Sequence, residues 1–179
     1  VSPAEVRDVI ISHMHYDHAG NHHLFPNARY HVQDAEMAYC TGRAMGHGAL
    51  RGAYEAADVQ AMVGRLYADR VVFHDGQVEL APGLTLHRVG GHTRGLQVVR
   101  VHTARGWVVL ASDALHFYAN WLERRPFPIL DDVSAYLEAF RTIEALADSP
   151  DHVIPGHDPL VLERYPLADP GVEAIVRLD

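Results

Sequence analysis

Lysine is absent from this 179-residue chain: all 15 basic residues are arginine, against 23 acidic ones, for a net charge of −8 with histidine neutral. That acidic balance argues against a protein that holds nucleic acid by neutralising phosphates. Cysteine is almost absent too. The single Cys40 excludes a disulfide scaffold and any cysteine-rich zinc module, and without a partner thiol it reads as a buried helix residue. No apolar run approaches the roughly 18 residues a transmembrane helix needs, and nothing at the start has the pattern of a signal peptide. The expectation is a cytoplasmic protein with no membrane partner. Present instead are 48% apolar residues, in a chain long enough for one domain that hides roughly 70% of its unfolded surface. Present also are 14 histidines, an excess that needs a reason.

The chain alternates strands and helices, without repeats or linkers. Ser2-Pro3-Ala4-Glu5 has the cap, the first-turn proline and the glutamate of a short helical start. Residues 8–12 read as a buried strand, 13–20 as a polar loop, 21–24 as a short helix and 28–32 as a strand. From Asp34 to about Asp69 the pattern is helical, broken at Gly42, Gly46, Gly48 and Gly52. Strand-like runs follow at 70–74, 77–80, 84–89, 97–102 and 107–111, punctuated as in hairpins. Val133, Tyr136, Leu137, Phe140, Ile143 and Leu146 recur at helical spacing, and 152–154 is a last short strand. Almost nothing precedes the first strand, and a sheet centred on it would expose a long edge. The chain is therefore expected to be the C-terminal portion of a longer protein, with 1–179 forming a single domain.

His13-Met14-His15-Tyr16-Asp17-His18 places four nitrogen or oxygen donors within six residues at the end of a buried strand. His13 and His15 project to the same side of extended backbone, while Asp17 and His18 turn toward a neighbouring position. Three further donors follow strands beside small residues: His92 in Gly90-Gly91-His92-Thr93, Asp113 after Ser112, and His157 in Pro155-Gly156-His157-Asp158. Strand ends are where α/β proteins build sites. Imidazole and carboxylate suit Zn²⁺, Fe²⁺, Mn²⁺ or Co²⁺, and the lack of thiolate argues against a purely structural zinc. His116, three after Asp113, is a candidate for contacting substrate or a ligating carboxylate. The remaining eight histidines read as surface or supporting residues.

The order His-x-His-x-Asp-His, His, Asp, His resembles the dinuclear metallo-β-lactamase superfamily, with a match running from Ile10 to His157. The resemblance implies an α/β fold of the αββα sandwich type, here apparently lacking its N-terminal β-sheet segment. It implies two divalent metal ions, foremost zinc: one on His13, His15 and His92, the other on Asp17, His18 and His157, with Asp113 bridging. β-Lactamases of the superfamily place Cys or Ser where this chain has Asp113. Glyoxalase II-like thioesterases use basic residues that include lysine. Ser12 to Asn21, Gly91-His92-Thr93, Ser112-Asp113, Pro155 to Asp158, His116 to Asn120 and Arg125 to Pro128 look most like the N-acyl-homoserine lactonase branch. That branch carries Tyr three after the bridging Asp, where this chain has His116; Tyr118 lies two further on.

The resemblance implies hydrolysis of a lactone, plausibly an N-acyl-homoserine lactone in the manner of quorum quenching, by attack of a metal-bridging hydroxide. Two cations acidify a water and polarise the ester carbonyl. Asp17 and Asp113 serve the metals, Asp113 is also a candidate proton donor to the leaving alkoxide, and His116 or Tyr118 would hydrogen-bond the carbonyl or leaving oxygen. Residues 35–67, with Met37, Tyr39, Met45, Leu50 and Tyr54, offer an apolar wall for an acyl chain, or ordinary helix packing. Two alternatives stay open: a glyoxalase II-like thioesterase or other esterase of the superfamily, and a metal-binding module without a complete substrate pocket. A homodimer is also left open.

Overall fold

Two β-sheets lie back to back between two sets of helices in the computed structural model, which describes residues 1–169, 171–172 and 175–179. The first sheet is parallel, in the order β1 (Asp8–Ile10), β2 (Arg29–Gln33), β3 (Val71–His74). The second holds β4 (Gln77–Ala81), β5 (Leu84–Arg88), β6 (Gln97–Thr103) and β7 (Gly106–Ser112) as an antiparallel meander. β8 (Val153–Pro155) then adds parallel to β7. Among the described residues β1 pairs with β2 alone, so its other edge is open.

Alternation along β2 explains the first layer. Tyr30 and Val32 point one way, into a core with Met37 and Cys40 of α2 (Asp34–Cys40) and Val59 and Met62 of α4 (Ala56–Leu66). Gln33 lies on the opposite face, where its side-chain amide donates to Gln97 Oε1 of β6 at 2.8 Å. Gln97 Nε2 in turn donates to the carbonyls of Ile11 and His31, at 2.8 and 3.1 Å. This fully paired amide bridge ties sheet to sheet at the strand ends that carry the site. The segment 41–55 breaks into a 3₁₀ turn and α3 (Gly48–Arg51), as its glycines predict.

The second layer is built by α6 (Val133–Leu146). Its Tyr136, Phe140 and Ile143 pack with Val98 of β6 and Val109 and Ala111 of β7. Asp132 caps the helix, accepting from Ala135 N at 2.9 Å, which is typically worth about 1 kcal/mol. Three short helices depart from the sequence expectation: α1 (Tyr16–Ala19) where a loop is predicted, and α5 (Tyr118–Leu122) and α7 (Leu160–Arg164). Four or five residues are too few to display a period of 3.6. The family's mixed α/β sandwich is thus present. His22, His31 and His87, read as surface or supporting histidines, are buried. No helix is long and apolar enough to cross a membrane among the described residues.

Candidate metal centre

The loop leaving β1 brings the first donors to the rim between the sheets. Its path is fixed from both sides: Ile11 N donates to His31 O, and Gln97 N donates to Ser12 O, both at 3.0 Å. α1 then reverses the chain, so that Asp17 and His18 face the strand ends of the second sheet. His92 arrives after β5 through Gly90 and Gly91, both at positive φ. A Cβ on Gly91 would sit 2.5 Å from the backbone of Tyr136, so only glycine allows the loop this close to α6. Ser112, at φ 48°, turns the chain sharply at the end of β7 to present Asp113.

Asp113 lies at the middle of the cluster, only 3% exposed. Its Oδ2 is 3.2 Å from His92 Nε2, 3.9 Å from His13 Nε2 and 2.9 Å from His116 Nε2. Its Oδ1 is 2.9 Å from His18 Nε2 and 3.0 Å from His157 Nε2. One oxygen thus serves each side. His13, His15, His92 and Asp113 form one group of donors within 4.8 Å of one another, and Asp17, His18 and His157 form another. His116 joins Asp113 and His157 in a third.

Hydrogen-bond bookkeeping tests whether a cation fits. His92 Nδ1 lies 2.6 Å from the carbonyl of Ile129, which can only accept, so Nδ1 carries the proton and Nε2 turns a lone pair toward Asp113. Tyr136 Oη donates to the carbonyl of Asp113 at 2.6 Å, so His116 Nδ1 donates to that hydroxyl at 3.1 Å and its Nε2 is turned to the carboxylate. His13 Nε2 is buried without any hydrogen-bond partner. His15 Nδ1 and His92 Nε2 face one another at 3.0 Å. The His92 lone pair, the unpartnered His13 nitrogen and the central carboxylate together leave acceptor capacity that a cation would fill. The set fits divalent cations, with neutral nitrogens and one central carboxylate.

Electrostatics agree. Burial lowers His13 well below the ordinary imidazole range, takes His15 down to about 3 and takes His92 down to about 4. These rings are neutral near pH 7, the form that ligates. Burial would raise Asp113, but hydrogen bonds from His116 and His18 outweigh it and hold the carboxyl far below its usual range. For His18 burial works downward, and the hydrogen bond to Asp113 reverses the balance and raises it. Ser12 and Ser112 support the rings from behind: Ser112 Oγ donates to Ser12 Oγ at 2.9 Å, and Ser12 Oγ lies 3.2 and 3.3 Å from the Nδ1 atoms of His13 and His18.

A cavity of about 420 Å³ opens over the cluster, bounded by Phe117, Phe127 and Ile129 on one side and by Ala49, Gly52 and Ala53 on the other. The 35–67 segment therefore contributes a wall, through these small residues. Met37, Tyr39 and Cys40 are buried in packing, and Met45 and Tyr54 line a separate hollow of about 290 Å³. His116 lines the main cavity, stacked on Phe127 with ring centroids 3.8 Å apart. Tyr118 does not reach it. Its ring is buried in the α6 core with Arg164 over one face, and its backbone N donates to Asp158 Oδ2. The first residue of a helix points back toward the preceding turn, which two positions of sequence cannot reveal. The cavity's aromatic and small residues and the serine pair behind the histidines carry no sequence signal beyond proximity to the motifs.

The chain belongs to the metallo-β-lactamase superfamily, whose family profile matches residues 1–157. Among curated relatives, an N-acyl homoserine lactonase of Bacillus cereus is 28% identical over 87% of this chain and 57% of its own length. The N-acyl homoserine lactonase AiiB of Rhizobium rhizogenes is 30% identical over 88% of this chain and 59% of its own length. Among solved structures, a mutant of Bacillus thuringiensis AiiA with N-decanoyl-L-homoserine bound at the active site superposes with a TM-score of 0.71 at 25% identity. That alignment covers 90% of this chain and 59% of the AiiA chain. The chain spans less than 60% of the length of these relatives.

Proposed function

We propose that this chain carries the dinuclear metal site of a hydrolase that opens lactone rings, with N-acyl-homoserine lactones as the substrate class. The observation that carries the reading is Asp113, whose two oxygens address two separate donor groups beneath one apolar-walled cavity. The kinship with N-acyl homoserine lactonases supports the substrate class.

His13, His15 and His92 would hold one cation, Asp17, His18 and His157 the other, and Asp113 would bridge. Bound there, divalent cations, foremost zinc, acidify a water and polarise an ester carbonyl. The chain's own residues do the rest. His116, which lines the cavity with its ring fixed by Phe127 and Tyr136, would hydrogen-bond the carbonyl or leaving oxygen. Asp113 would take up the proton released by the attacking water and pass it to the departing alkoxide. Phe117, Phe127 and Ile129 exclude water from one side of the ester.

The test is ring opening of a short-chain and a long-chain N-acyl-homoserine lactone by full-length, zinc-loaded protein, beside a thioester and an aryl ester. Faster turnover of either lactone supports the reading. Two bound metals with no ring opening, or a preference for thioester, would overturn the lactone assignment.

A further inference from the structure

Glu36 is fully buried in α2, yet none of its hydrogen-bond partners is a cation. Oε1 accepts from Met14 N at 2.9 Å and Tyr54 Oη at 3.0 Å. Oε2 accepts from Thr93 Oγ1 at 2.6 Å and Gly95 N at 3.2 Å. Each oxygen thus takes one backbone amide and one hydroxyl. Met14 lies between His13 and His15. Thr93 follows His92, and Gly95 ends the same loop. Tyr54 sets its ring edge-on to His15, with centroids 4.5 Å apart. All four donors therefore belong to the two loops that carry His13, His15 and His92, or to the ring packed against one of them.

Isolated burial of a carboxylate is expensive, and an apolar side chain of similar size would stabilise this core better. The packing is also specific: a Cβ on Gly95 would fall 2.1–2.4 Å from the backbone and Cβ of Glu36. We propose that Glu36 is a positioning residue for the His13/His15/His92 group, cross-bracing the two loops so that three imidazole nitrogens converge at metal-binding distance. The Asp17/His18/His157 group lies outside this brace. The inference rests on the metal-site reading above, and it assigns to one buried acid the unequal support of the two halves of the site.

The test uses zinc affinity of the full chain, measured by competition with a chromogenic chelator. In an Asp17→Ala/His157→Ala background, where the first group retains all its donors, Glu36→Gln should weaken zinc by about 10–100-fold, the range for loss of a residue that orients ligands. In a His15→Ala/His92→Ala background the same change should alter the residual affinity less than about threefold. Thr93→Val removes one hydroxyl while leaving the carboxylate in place, so it keeps the test open if Glu36→Gln misfolds. It should give a smaller loss, which Thr93→Ser restores. Unchanged affinity in Glu36→Gln or Thr93→Val, or an equal loss in both backgrounds, would overturn the proposal. Lactone turnover is measured separately on the parent chain. A parent that binds two metals without opening lactones breaks the substrate reading, and Glu36 is then still judged by the affinities.

Discussion

Among the described residues, two clusters that join histidine to aspartate are built on opposite principles. Across the three strands of the first sheet, Asp8 Oδ1 meets His31 Nε2 at 3.0 Å and His31 Nδ1 meets His74 Nε2 at 2.9 Å, with the two rings stacked. This is a line: each contact is one donor to one acceptor, and Arg29 completes it at Asp8. At the rim between the sheets the geometry is radial instead. Five imidazoles converge on Asp113, with His92 turning a lone pair to it and His13 Nε2 left without a partner. Residue types alone do not make a metal centre. Convergence of acceptors with too few donors to satisfy them does, because a cation or added protons must make up the difference.

The largest effect should come from the radial centre. Asp113→Asn removes charge from both donor groups while nearly conserving volume. Zinc content, measured by elemental analysis, should fall from two to below one per chain, with lactone turnover down at least about 10³-fold. His92→Ala should cost one metal, whereas His74→Ala in the linear cluster should leave both. Loss of zinc in His74→Ala would erase the distinction between the clusters. Removing metal with a chelator comes next. The holoprotein should lose about 2.7 kcal/mol for each site emptied, relative to zinc held at 100 times that site's dissociation constant, read as a lower denaturation midpoint. His74→Ala should show the same drop, since its cluster takes no part.

The smallest effect belongs to Asp8. The hydrogen bond from His31 holds its carboxyl below the ordinary value, against a lesser upward push from burial and with Arg29 adding to the pull. A depressed folded pKa stabilises above the unfolded value near 4 and is lost as pH falls through the folded one. Asp8→Asn should therefore cost at most about 0.5 kcal/mol near pH 7, because the side chain is largely exposed to solvent. The difference from parent should shrink as acid denaturation carries the pH below the unfolded value and vanish below the depressed folded one. An undiminished gap there would mean that the linear cluster is held by something other than charge.

Much of this was legible from residue order. The strand ending before His13, the hairpin strands and the long amphipathic helix at 133–146 all stand where periodicity and turn residues put them, since each is long or regular enough to show its period. α1, α5 and α7 are not. Tyr118 shows the same limit at the site, two residues from His116 and on the other side of the helix start.

By itself the sequence offered the candidate donors and their order, because a spacing such as His-x-His-x-Asp-His is a local property of backbone, and its resemblance to a known superfamily implied the fold. Only the tertiary structure decided which histidines converge. His31 and His74 are as histidine-like as His92, and strand register alone lines them up into a satisfied chain. Nor does any local pattern announce Glu36, whose four donors come from residues 14, 54, 93 and 95. Hydrogen bonds depend on position to a few tenths of an ångström, and across such separations that position is set by packing rather than by chain order.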